Sequence, residues 1–165
     1  MRRACIPVIL AVLIFDATAC NRRAPESRIK SVEARIDGIT CPTCVPPLMA
    51  SLKRTYHNSA IDVSDDKDTA TIRFAENENF SASEFRAAVE RVRMRVVTLH
   101  VRACGKVEVS NGDQWLTAGA DRFLVRSDRE LPVNRPICAD GTLDNRSTPA
   151  ILQVSAFSPQ GASGS

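Results

Sequence analysis

The sequence predicts an α+β chain in which two helices interleaved with four strands are followed by a short all-β unit. Three observations predict it. Apolar residues recur at steps of two and of three to four in the order β-α-β-β-α-β over 31–101; helical stripes cease after Arg102 while short alternating runs continue; and Gly, Pro, Asn and Asp separate those runs. With 165 residues, 44% hydrophobic and 25% charged, the chain has apolar material for one ordinary domain or two small ones and is not a disordered tail. Its formal charge of +3, with no cluster of basic residues, gives no argument for electrostatic nucleic-acid binding, and no nucleic-acid partner is expected.

Taken in order, Val32, Ala34 and Ile36 alternate with Glu33, Arg35 and Asp37, which predicts a half-buried strand that stops at Gly38. Val45, Leu48, Leu52 and Tyr56 recur at helical spacing, with Pro46 and Pro47 tolerated only in the first turn. Ile61 and Val63, then Ala70, Ile72 and Phe74, predict two strands of a hairpin turned by Asp65-Asp66-Lys67-Asp68. Ser81 and Glu84 have capping-box spacing, and Phe85, Ala88, Val89 and Val92 form the stripe of a second helix. Val97, Leu99 and Val101 close the unit as a strand. This order is the split βαβ arrangement of a ferredoxin-like sandwich. The expected architecture is therefore a ferredoxin-like βαββαβ sandwich over 31–102, a small all-β domain over 103–158 and a Gly/Ser tail over 159–165. Strands of the second domain are expected at 106–109, 114–117, 122–126 and 150–157, with Val107, Val109, Leu116, Phe123, Val125, Leu152 and Val154 as core candidates and Trp115 as the only tryptophan.

The amino terminus is expected to be an address rather than part of a fold. Arg2 and Arg3 precede an apolar run of 12 residues over 4–15, and small residues lead up to Cys20. Such a run is shorter than the roughly 20 residues a membrane-spanning helix needs. Ala17-Thr18-Ala19-Cys20 resembles a bacterial lipoprotein signal. The resemblance implies removal of 1–19, together with Cys5, lipidation of Cys20 and attachment to the periplasmic side of the cell envelope, with 20–30 as a polar tether. Ordinary cleavage after Ala19, leaving Cys20 as a free thiol, also fits.

Six cysteines in a chain of this length are the unusual feature of its composition. Cys41 and Cys44 stand two residues apart where the first strand gives way to the first helix. A turn there brings both sulfurs to one side, and a helix N-terminus favours their thiolate forms. Two thiolates are short of the four ligands of a structural zinc site and suit a soft ion of low coordination number such as Cu(I) or Hg(II). Gly38-Ile39-Thr40-Cys41-Pro42-Thr43-Cys44, placed after one strand of a βαββαβ unit, resembles the heavy-metal-associated domain of copper chaperones, copper-pumping ATPases and the periplasmic mercury-binding protein. The resemblance implies Cys41 and Cys44 as metal ligands, Thr40 as a shaper of the loop and Ile39 as its anchor. It also implies a metal-transport or metal-resistance protein as partner, and carriage or sequestration of metal rather than catalysis. Ile39 replaces the family's usual Met, and Arg93-Met94 replaces a Gly followed by an aromatic residue or Lys. The exchange at Arg93 predicts a rebuilt turn, and Met94 becomes a candidate auxiliary soft ligand.

The same Cys-Pro-x-Cys spacing also suits a periplasmic thiol-disulfide oxidoreductase, and a non-catalytic interaction module with a relic Cys pair is a third reading. Cys104 and Cys138 are expected to form a structural disulfide, as is usual in small exported domains, and a four-sulfur site joining them to Cys41 and Cys44 is the sharper alternative. His57 and His100 have no second ligand at metal spacing, and no phosphate loop, catalytic triad or EF-hand is present in the sequence.

Overall fold

The computed structural model describes residues 28–160, apart from 77 and 145. The expected leader, Cys5, the expected lipidation site Cys20, most of the expected tether and the last residues of the expected tail lie outside the described residues.

Strand β1 (Arg28–Asp37) begins within the stretch expected to be tether. Its register on its neighbour shifts between Ile29 and Ser31. The extra residue is why Ile29 and Val32, an odd number of positions apart, are both buried with Ala34 and Ile36. A 3-10 turn (Pro42–Cys44) leads into helix α1 (Val45–Thr55), whose Leu48, Ser51 and Leu52 are buried. β2 (Ala60–Ser64) and β3 (Thr69–Arg73) pair antiparallel, Ser64 opposite Thr69. Between them Asp68 takes φ 52°, and its carbonyl accepts the Ile36 N–H at 2.8 Å. Helix α2 (Ala82–Glu90) starts where the Ser81 hydroxyl accepts the Glu84 N–H at 3.3 Å. The helices meet at Ser51, whose hydroxyl donates to the Ala88 carbonyl at 2.6 Å and accepts from Arg91.

The expectation of a ferredoxin-like sandwich followed by a separate all-β domain is corrected here. The described chain is mostly sheet, and all eight strands belong to one mixed sheet ordered β2-β3-β1-β4-β5-β6-β8-β7. The cause is β4 (Arg95–Ser110), a single strand of 16 residues that runs through the expected boundary at 102. Its first part pairs with β1, its middle with β7 (Pro136–Asp144) and its end with β5 (Asp113–Ala118). β6 (Asp121–Ser127) pairs antiparallel with β5 and parallel with β8 (Ile151–Pro159), and β8 returns to β7. Because β7 also pairs with β4, the last five strands close into a ring. One apolar core extends from Ile29 through Val101 and Val107 to Leu152 without a break.

Two glycines permit the closure. A Cβ on Gly105 would run into the Thr117 carbonyl oxygen of β5, and one on Gly141 into the Gln153 carbonyl oxygen of β8. Gly105 is a point of close backbone approach inside a continuous strand.

Three local expectations are also corrected. β7 was not among the expected strands, because the residues alternating inward are Ile137, Ala139, Gly141 and Leu143, and the small ones mute the apolar signal. Val97 is exposed, because a register shift between Arg35 and Ile36 turns it outward and puts Val96 inside instead. Val109 is exposed near the end of β4, and Val154 is only partly buried, whereas Val107, Leu116, Phe123, Val125 and Leu152 are in the core.

Candidate functional site

The Cys loop is built between the end of β1 and the start of α1. Gly38 takes φ +108°, and a Cβ there would come within 3.1 Å of Met94 Cγ, so the chain leaves β1 directly over the Met94 side chain. Ile39 then points into the core at 2% exposure and fixes the loop from below. Thr40 is exposed, and Cys41 and Cys44 are half-buried. Cys41 is extended, with φ −162°, and caps the 3-10 turn, in which the Cys44 N–H donates to the Cys41 carbonyl at 2.9 Å.

The Cys41 and Cys44 sulfurs are joined as a disulfide, with Cα atoms 5.4 Å apart. Each also touches a threonine hydroxyl: Cys41 Sγ lies 3.0 Å from Thr43 Oγ1, and Cys44 Sγ lies 4.0 Å from Thr40 Oγ1. The expected helix-terminus assistance is reduced. Pro42, Pro46 and Pro47 have no N–H to offer. Beside the loop, a concavity of about 340 Å³ is lined by Arg35, Ile36, Asp37, Gly38, Thr40, Asp68 and the outward-turned Val97. Asp37 is not free there, since it pairs with Arg95 at 2.8 Å.

Met94, the candidate auxiliary ligand, is 8% exposed and belongs to the apolar core beneath Gly38. The rebuilt turn expected from Arg93 is corrected, for Arg93 itself takes φ 61° and the left-handed turn survives with a non-glycine residue. Cys104 and Cys138 stand directly opposite each other on β4 and β7 and are bonded as a disulfide, so neither sulfur is free to join Cys41 and Cys44. Among the described residues no group of three or more His, Cys, Asp and Glu side chains is placed to hold a metal ion.

The histidines lie elsewhere. His57 is exposed and lies 3.5 Å from Glu78, a buried carboxylate that accepts from the Asn58 N–H at 2.8 Å and from the Ser59 hydroxyl. Sequence reasoning missed Glu78, which ties the loop between α1 and β2 to the loop between β3 and α2. His100 Nδ1 lies 3.2 Å from Thr142 Oγ1. It lines a cleft of about 270 Å³ on the helix-free side of the sheet with Glu33, Arg73, Arg102 and Asp140. That cleft was not legible, because its residues come from five strands and align only through the sheet register. Tyr56, under the same side of the fold as Glu78, donates to the Ser81 carbonyl at 3.1 Å, and burial pushes its hydroxyl pKa up to about 12.

No helix among the described residues is long and apolar enough to cross a membrane. Comparison with protein-family models, with curated proteins and with solved structures returns no match.

Proposed function

We propose that the protein binds a soft metal ion of the Cu(I) or Hg(II) class through Cys41 and Cys44 in their reduced state, and carries or sequesters it. The observation that carries this reading is the meeting of two sulfurs at one point of a half-exposed loop. A site of two thiolates satisfies an ion that accepts two-coordination and leaves one that needs four ligands undersupplied. The rigid footing of the loop, Ile39 below and Met94 under Gly38, holds the pair in place, while its position near the surface leaves the ion open to attack by an incoming thiolate. Metal uptake begins from the reduced pair, so the Cys41–Cys44 bond must first accept two electrons and two protons from an external dithiol, which is itself oxidised to a disulfide. Each thiol releases its proton as it takes the metal, so uptake is proton-coupled.

In this reading the protein works at the cell envelope, attached through Cys20 to a membrane, and hands metal to a transport or resistance protein. A second reading, thiol-disulfide exchange, is favoured by the bonded state of the same pair.

Titration of the reduced full chain with Cu(I) and with Hg(II), beside a Cys41→Ser/Cys44→Ser variant, tests the proposal. Tight one-to-one binding that the variant loses is the expected result. Equal binding by both proteins would overturn it, and turnover of a disulfide substrate by wild type alone would then select the redox reading.

A further inference from the structure

We infer that Thr43, and more weakly Thr40, are positioning residues whose hydroxyls donate hydrogen bonds to the two sulfurs in place of the backbone amides that usually serve a cysteine pair at a helix start. The inference deepens the proposed function and rests on that reading only for its metal-binding part.

The supply of amide donors is depleted around this loop. Pro42, Pro46 and Pro47 carry no N–H. The Cys44 N–H is spent on the Cys41 carbonyl, and the Val45 N–H on the Pro42 carbonyl. Among the described residues, the hydrogen-bond contacts of the two sulfurs are with a pair of hydroxyls, one for each: Thr43 on Cys41 at 3.0 Å and Thr40 on Cys44 at 4.0 Å. The direction of these contacts is fixed by chemistry. A disulfide sulfur bears no hydrogen, so in the bonded pair each hydroxyl is the donor. The same Thr-Cys step occurs twice in Thr40-Cys41-Pro42-Thr43-Cys44, but each hydroxyl serves the cysteine that is not its following neighbour.

A hydrogen bond to sulfur strengthens as electron density on that sulfur rises. It therefore favours the reduced, metal-binding pair over the disulfide, whose sulfurs are weak acceptors. It also orients the lone pairs that remain for a metal, which is the role outer hydrogen-bond partners play around bound ions. The two contacts differ in length, so Cys41 is the better supported sulfur.

Three variants of the full chain, Thr43→Val, Thr43→Ser and Thr40→Val, distinguish this role from loop packing. The disulfide midpoint potential of the metal-free protein is read in a dithiothreitol buffer, where two electrons and two protons pass from the buffer dithiol to the Cys41–Cys44 bond. Thr43→Val is expected to shift the equilibrium toward the disulfide about tenfold, read as about 30 mV more negative. Thr43→Ser is expected to match wild type, and Thr40→Val to move less than Thr43→Val. In Cu(I) competition against a chromophoric chelator, Thr43→Val should bind about tenfold more weakly, the low end for outer partners of a metal ligand. An unchanged potential in Thr43→Val, or an equal shift in Thr43→Val and Thr43→Ser, would overturn the inference. If Cys41→Ser/Cys44→Ser binds Cu(I) as wild type does, the metal reading fails, while the potentials still decide the role of Thr43.

Discussion

Removing the Cys104–Cys138 bond should cost this protein more than any other change to its cysteines. The bond joins directly opposed residues of β4 and β7, the pairing that closes the ring of five strands. It spans 34 residues of sequence, so in the chain-entropy model it stabilises the fold by about 4 kcal/mol. The Cys41–Cys44 bond spans three residues, and the same arithmetic gives about 2 kcal/mol. Alanine is the proper replacement at Cys104, which is 1% exposed, since a serine hydroxyl there would need a partner. At about 4 °C per kcal/mol for a chain of this size, Cys104→Ala/Cys138→Ala should melt about 15 °C below wild type. Cys41→Ser/Cys44→Ser should lose no more than about half of that. Calorimetry on oxidised protein gives both values, and a reductant added to wild type, which opens both bonds, should lower the midpoint by about the sum of the two losses. A Cys104→Ala/Cys138→Ala protein melting within about 3 °C of wild type would refute the claim that this bond holds the ring closed.

Three other outcomes are expected. Gly141→Ala should lower the urea midpoint by about 3 kcal/mol of stability, the upper end for overpacking, because the new methyl meets the Gln153 carbonyl rather than a movable side chain. Glu78→Ala should lose about 1–3 kcal/mol by the same measurement, because the Asn58 N–H and the Ser59 hydroxyl lose their acceptor. Tyr56 should make the fold sensitive to alkali: its folded pKa, about 12, lies above the ordinary 10.0. The stabilisation is therefore complete below pH 10 and is lost as pH rises from 10 through 12, a total of about 3 kcal/mol. Urea midpoints across that range, with Tyr56→Phe lacking the decline, check it.

Much of the local structure was legible because its signals are local. The alternation through Val32, Ala34 and Ile36, the stripe through Leu48 and Leu52, the Asp-rich hairpin turn and the Ser81 cap each depend on a few adjacent residues, and each stands where those residues put it. What was not legible depends on pairing between distant segments. Whether Arg102-Ala103-Cys104-Gly105-Lys106 ends one domain or continues a strand is decided by β1, β5 and β7 competing for its two edges, and no periodicity reports that. β7 was hidden because a tight ring needs small inward residues at Ala139 and Gly141, and these are the residues that erase an apolar pattern. The Cys loop was conspicuous by spacing, whereas the hydroxyl of Thr43 acquires its role only once the 3-10 turn folds it back on Cys41.

The continuity of β4 also gives the ring of strands a mechanical relation to the Cys loop. Met94, immediately before β4, forms the floor under Gly38, and Arg95 at its first position pairs with Asp37 at the end of β1. Further along the same strand, Cys104 is bonded to β7 and Arg102 is paired with Asp140. A strand held on both edges through its middle has little freedom to slide at its beginning, because a shift of register would reverse Val96, Leu99, Val101, Ala103 and Val107 at once, all of them buried. The floor of the loop is therefore laid by an element whose position is set in the ring. Two separately folded domains joined by a linker would leave that floor to the first domain alone. The single shared strand instead makes closure of the ring part of what holds Cys41 and Cys44 in place.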